Sequence, residues 1–330
     1  MPATIADGEH VNAECGRRFG GSHRFPDRKS NHLVLTARDR PEWESDGVPE
    51  IQAAGYSPTI KKRALSRKLV ELRKHQGLTT TEVCRRLRWS PSKLNYIEKA
   101  KWIEPSDDSV EILCELYGVE GPERAALIEL AQGARERGWW TRYNDVFRNE
   151  YPGFEAAASF VRTYQNLYLP GLLQAKEYAE ALPPVRDVDD PAEIKRHVTA
   201  RMARQEILFR PTDPCRLHAV IDENAIARIA DPEVRVPQLR HLLAMSERPN
   251  VVIQLIPFEA GLYAGSGESF TYLGFADPGE RDIVFLETTF DDRMLEEKDD
   301  LKRYMIRFDR LCEVALDPEA TRAHLSGRIR

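Results

Sequence analysis

The chain of 330 residues has no run of about 18 apolar residues, so it offers no candidate membrane-spanning helix. Its first residues, MPATIADGEH, lack both the charged and the apolar region of an export signal. Five cysteines are present (Cys15, Cys84, Cys114, Cys215 and Cys312), far apart and without a CxxC pair. Neither a disulfide framework nor a ribbon-type zinc site is suggested, and a reducing cytoplasm is the expected compartment. Catalytic patterns are equally scarce. The Gly-rich stretch AGLYAGSGES matches neither a phosphate loop nor GxSxG, and lies between two strand-like runs instead of opening a helix. His197, His218 and His241 have no cysteine or aspartate at triad spacing, and the adjacent Asp222 and Glu223 stand where acids cap a helix. The expectation is a protein that is not an enzyme and needs no cofactor or metal.

Acid is scarce in one place. Between Ser57 and Ile103 thirteen Lys and Arg face three Glu, a net +10, whereas the other residues hold 35 basic against 50 acidic side chains, a net −15. A basic module on an acidic body fits a chain in which one part meets a polyanion and the rest does not.

Residues 1–56 mix Gly, Pro, Asp, Arg and Ser without sustained periodicity and read as a disordered tail. His10, Cys15, His23 and His32 within it match no zinc spacing. Order is expected from SPTIKKRALSRKLVELRKHQG, with Ser57 as cap, Pro58 at the first helical position and Gly77 at the end. Thr79 and Glu82 make a capping box for a short second helix with Val83, Cys84 and Leu87 inside. Ser90-Pro91 opens a third helix that buries Leu94 and Ile97. A fourth runs from Ser106 or Asp107 to Gly118, and PERAALIELAQGARERG is a fifth. Two short helices with a three- or four-residue turn, the second polar and basic outside, are the arrangement that lays a helix in a DNA major groove. On that third helix Ser92 and Tyr96, and likewise Asn95 and Lys99, are four apart and share the face opposite Leu94 and Ile97.

The stretch LRKHQGLTTTEVCRRLRWSPSKLNYIEK resembles the Cro/repressor-like (XRE-type) helix-turn-helix family. The resemblance implies an ion pair between Arg73 and Glu98, phosphate contacts from Thr80, Ser90, Lys93 and Lys99, and base contacts from Ser92 and Tyr96. Arg88 and Ala100 stand where that family often has glycine, and Thr80 where it often has a phosphate-binding Gln. A non-Gly residue at positive φ costs about 1 kcal/mol, so a slightly remodelled turn is expected.

The fold expected is multidomain: an XRE-type domain over 57–120, a linker helix with a Trp-containing connector over 121–150, and an α+β domain over 151–330. The two tryptophans of RERGWWTRYNDVF read as a packing anchor. Beyond them FEAAASFVRTYQN, QAKEYAEAL, PAEIKRHVTARMARQEILF, DENAIARIA and VPQLRHLLAMSE read as helices. CRLHAVI, NVVIQLIPF, SFTYLGF and DIVFLET read as strands, and EKDDLKRYMIRFDRLCEVAL and PEATRAHLSG as closing helices. The expected sheet therefore has about four strands, covered by helices.

RERGWW, EAAASFVRTYQNLYLPGLLQAKEYAEAL, RMARQEIL, VIDENAI, QLRHLLAMSERPNVVIQLIPFEAGLYAGSGESFTYLGF and VFLET resemble actinobacterial WhiJ-like and antitoxin-like regulators. The resemblance implies a transcriptional regulator whose long domain engages a very small protein encoded by a neighbouring gene. The alternative is an antitoxin-like interaction module with mainly autoregulatory or weak DNA binding. A homodimer on double-stranded DNA is expected, because one module reads too few base pairs to be selective. The loop with Gly261, Gly265, Gly267 and Ser269 is the candidate for contact with a ligand or partner.

Overall fold

The computed structural model describes residues 57–329 apart from 103, 148, 183–189, 278 and 289–291. The tail at 1–56, with its histidines and Cys15, lies outside the described residues. Five helices come first: α1 (Pro58–His75), α2 (Thr80–Leu87), α3 (Pro91–Glu98), α4 (Asp107–Tyr117) and α5 (Gly121–Arg135). Three begin on side-chain caps. Thr79 and Glu82 form a reciprocal capping box on α2. Ser90 accepts from the Lys93 N–H on α3, and Ser106 from the Ser109 N–H on α4. Ser57 does not cap α1 with its side chain; its buried hydroxyl donates instead to the Gly153 carbonyl at 2.7 Å. Leu65 and Leu69 of α1, Val83, Leu94, Ile97, Val110 and Leu113 close one core, together with Leu127 and Ala131 of α5. Each fully buried Leu contributes about 1.5–3 kcal/mol, so α5 belongs to the helix-turn-helix core as much as α1 does.

A single 3-10 turn at Trp139–Tyr143 follows. Trp139 meets Trp140, Tyr143 and Phe147 edge-on, with ring centroids 5.9–6.1 Å apart. Such edge-to-face contacts pack an anchor. Gly153 is where the connector, the start of α1 and the next helix converge. A Cβ there would stand 2.2 Å from Thr59 Oγ1 and 3.0 Å from the Trp140 ring.

The remaining elements are α6 (Tyr151–Ala157), β1 (Phe160–Gln165), α7 (Lys176–Ala181), α8 (Pro191–Arg204), β2 (Arg216–Asp222), α9 (Glu223–Ala227), α10 (Pro232–Ser246), β3 (Val251–Ile256), β4 (Phe270–Gly274), β5 (Ile283–Leu286), β6 (Arg293–Leu295), α11 (Lys298–Val314) and α12 (Pro318–Gly327). The sheet has six strands in the order β3-β2-β1-β4-β5-β6, which corrects the expected four. One of the two additional strands is β1, hidden in the segment FEAAASFVRTYQN that reads as a helix. It is a central strand, parallel to β2 and antiparallel to β4. The helical run stops because the buried guanidinium of Arg210 donates to the carbonyls of Ala156 and Ala158 and ends α6. The other is β6, three residues held antiparallel to β5.

Both faces of the sheet are covered. Val161, Leu217, Ile253 and Leu273 join one core with Leu239 and Leu242 of α10 and Leu325 of α12. Tyr164, Val220, Phe270 and Val284 join a second with Phe308 and Leu311 of α11. Under the first face Glu155 is buried and accepts two hydrogen bonds from Arg204 and one from Tyr151, so this interior charge is paired.

Candidate nucleic-acid interface

Leu94 and Ile97, 1% and 3% exposed, pin α3 to the helical core, and the i, i+3 spacing that buries them turns the rest of the helix outward. Ser92, Lys93, Asn95, Tyr96 and Lys99 are all exposed, as are Thr80 in the first turn of α2 and Ser90 at the start of α3. Tyr96 is 51% exposed, a large aromatic ring offered to solvent. Lys93 Nζ lies 3.9 Å from the centre of the Trp89 ring, which holds the ammonium beside the turn. Between α3 and the start of α4 runs a cleft of about 530 Å³ bordered by Ser92, Lys93, Tyr96, Trp102, Glu104 and Ser106. Trp102, Glu104 and Ser106 are additions to the residues expected from sequence. No periodicity marks them, because they belong to the loop after α3.

The turn keeps its helix-turn-helix geometry without glycine. Arg88 and Ala100 sit at φ 55° and 54°, in the left-handed region, instead of remodelling the chain as the sequence suggests. Each carries a strain of about 1 kcal/mol.

Behind the exposed face α3 is fixed to α1. Arg73 Nε and Nη2 donate to the two carboxylate oxygens of Glu98 at 2.5 and 3.0 Å, and this hydrogen bonding raises the pKa of the guanidinium. Arg73 also donates to the Leu78 carbonyl at 2.8 Å, and Trp102 Nε1 to Ser66 Oγ at 3.1 Å. The first three turns of α1 reach the α+β part. Lys62 pairs with Glu150 at 2.7 Å, and Arg63 and Arg67 both reach Glu280, each at 2.8 Å, with Glu280 fully buried and Arg63 also 3.0 Å from Glu296. Three of the thirteen cations counted in the sequence therefore neutralise the acidic body. Lys68, Lys74, Arg85, Arg86, Arg88, Lys93, Lys99 and Lys101 remain exposed, and Lys93 borders the same cleft as Ser92 and Tyr96.

The Gly-rich loop is pinned at several points. Gly265, at φ 101°, lies against α11, where Arg307 donates to its carbonyl at 2.7 Å. Ser269 Oγ donates to Asn166 at 2.9 Å, and the hydroxyls of Tyr263 and Tyr164 stand 2.6 Å apart, with Tyr263 donating to Asp222 as well. Gly261, at φ 64°, stands in open space beside a fully exposed Leu262, whereas a Cβ on Gly267 would meet Arg307 Nη2 at 4.0 Å. Of the carboxylates at the end of β2, Asp222 caps α9 through the Asn224 N–H and Glu223 accepts from the Phe258 N–H, His324 and Arg328. His218 Nε2 is 2.8 Å from Gln254 Oε1 and 3.8 Å from Cys312 Sγ, whose thiol is pushed up to about 12 by burial, the opposite of an activated nucleophile.

A helix-turn-helix domain description matches residues 64–127, over the five helices that present this surface. A second description, domain of unknown function DUF5753, matches residues 149–327, more than half of the chain. The chain belongs to the DUF5753 family. In this DUF5753 protein the family region holds all six strands and α6 to α12, and the helix-turn-helix precedes it. No curated protein and no solved structure matches the chain. Among the described residues no helix is long and apolar enough to cross a membrane.

Proposed function

We propose that this chain is an XRE-like, sequence-specific DNA-binding transcriptional regulator of the cytoplasm, without a catalytic step of its own. The observation that carries the reading is α3: anchored by Leu94 and Ile97, tied to α1 through Glu98 and Arg73, and exposing Ser92, Lys93, Asn95, Tyr96 and Lys99 on one side. Ser92 and Tyr96 read base edges, while Thr80, Lys93, Lys99 and the N-terminal end of α3 at Ser90 meet phosphates. A module of this size is selective only in pairs, so the protein acts as a homodimer on a roughly palindromic site with half-sites about one helical turn apart. The DUF5753 region engages a small protein partner or a signal, and adjusts DNA affinity through the ionic contacts that α1 makes with it.

The test is a titration of the purified full chain with the DNA upstream of its own gene and with a random duplex of equal length, at several salt concentrations. Preference for the upstream DNA, with a second copy bound at saturation, is expected. Equal affinity for both duplexes would defeat the sequence-specific reading.

A further inference from the structure

On the far side of the Gly-rich loop, α11 and the Gly265 turn enclose a cleft of about 360 Å³ lined by Ala264, Gly265, Arg303, Ile306, Arg307 and Arg310. Its lining holds three arginines and no carboxylate, on a body whose net charge outside Ser57–Ile103 is −15. The arginines are not equivalent. Arg307 clamps the loop through the carbonyls of Gly265 and Glu268, and packs over the Phe270 ring. Among the described residues Arg303, 78% exposed, has an ion pair with Asp300 at 3.4 Å, and Arg310 is exposed without a partner. Of the acids nearby, Glu268 is engaged with Tyr304 and Arg307 and Asp309 with Arg162, while Asp299 and Glu313 stand exposed one helical turn before Arg303 and after Arg310. Ile306 lies between the two available guanidiniums and is 44% exposed, an apolar side chain on a helix face that has cations on either side.

We propose that this cleft is a docking site for an acidic peptide segment of a protein partner, with Arg303 and Arg310 taking carboxylates and Ile306 the apolar side chain between them. The proposal rests on the partner-binding reading of the DUF5753 region and gives that partner a chemistry. Seven residues of helix separate the two arginines by about 10.5 Å along the axis. Carboxylates two to four residues apart on an extended peptide span about 7–14 Å, which brackets that distance. Guanidinium groups bind carboxylate and phosphate equally well in geometry. The apolar floor of Ile306 and Ala264 decides for peptide, since a nucleic-acid backbone has no apolar group to place there.

The probe is a fluorescein-labelled ten-residue peptide of alternating glutamate and isoleucine, with a glutamate–serine peptide beside it, titrated into the full chain at low salt. Reversing both charges, R303E with R310E, is expected to weaken the glutamate–isoleucine peptide at least tenfold. Ile306→Ser is expected to weaken it several-fold while sparing the glutamate–serine peptide. Binding of a random duplex stays within twofold in these variants, and Lys93→Ala gives the converse pattern. No measurable peptide binding, or binding indifferent to the charge reversal, overturns the proposal. Loss of duplex binding on charge reversal with the peptide unaffected overturns it in favour of a phosphate site. Peptide binding as expected, in a chain with no preference for its upstream DNA, would leave the cleft standing and remove the DNA reading alone.

Discussion

The helical region and the DUF5753 region bury their charged groups differently. In the helix-turn-helix the central residues are apolar, Leu65, Leu69, Val83, Leu94 and Leu113, and its ionic groups lie at the surface or, like Arg73 and Glu98, half-buried. The DUF5753 region takes charge into its interior: Glu155 with Arg204, Glu223 with His324 and Arg328, Arg210 against two carbonyls. Glu280, which belongs to this second region, takes its ionic partners among the described residues from the first, Arg63 and Arg67. Apolar cores tolerate repacking, whereas buried charges depend on every partner staying in place. The second region is therefore the more sensitive of the two, and it holds the first by its own buried acid.

The largest expected effect breaks that hold. Glu280→Ala leaves Arg63 and Arg67 without their shared carboxylate and should cost about 3 kcal/mol. Calorimetry should then resolve two transitions where the wild type shows one. A loss below about 1 kcal/mol with a single transition would mean that the apolar contacts of α1 suffice.

Acid should separate the regions too. Burial lowers the His241 pKa to about 4, with its Nε2 lacking a hydrogen-bond partner among the described residues. Between pH 6.5 and 4 the unfolded chain takes up a proton that the folded chain refuses, so stability falls as pH falls across that window, by about 3 kcal/mol. In His241→Leu this decline should disappear from pH-dependent melting curves. In the helical region, the Glu82 carboxylate is held below its ordinary 4.5 by the Thr79 N–H and hydroxyl, so its contribution is present above about 4.5 and is lost only in stronger acid. Acid melting followed separately in each region by hydrogen exchange should show this order, and simultaneous loss would refute it.

Smaller, and confined to the helical region, are the effects on DNA. Tyr96→Ala and Ser92→Ala should lower discrimination at particular base pairs by about 1–3 kcal/mol without shifting the melting temperature. Lys93→Ala should weaken all duplexes alike and reduce the salt slope by about one charge. Anisotropy titrations on specific and random DNA separate the two classes, and equal losses on both would remove the base-reading assignment. Smallest is the release of turn strain. Ala100→Gly should stabilise by at most about 0.5 kcal/mol, the left-handed strain removed less the extra freedom of glycine in the unfolded chain. Denaturant melting at unchanged slope would measure it.

How much was legible in the sequence follows the range of the interactions. The caps at Thr79, Ser90 and Ser106 lie within three residues of their targets, and the outward face of α3 follows from helical periodicity alone. The strand β1 was not legible because the residue that ends α6 before it, Arg210, comes more than 50 positions later. The strand β6 is three residues long and exists through its pairing with β5, too short for any period to register. Ser57 looks like an ordinary cap, and nothing local shows that its hydroxyl turns to Gly153, 96 residues on. The same holds for Glu280, an acid in a Gly- and Asp-containing loop, whose partners lie 213 and more residues earlier.

That separation sets an order of events during synthesis. The first helix leaves the ribosome well before Gly153, Glu280 and Glu296 are made, and synthesis proceeds at about 5–20 residues per second. For the intervening ten seconds or more the nascent helices can pair among themselves and reach Glu150 and Gly153, but lack the carboxylates of Glu280 and Glu296. The last ties on α1 form only when nearly the whole chain has been made, so a truncated product carries α3 on a first helix that lacks its buried counter-charge.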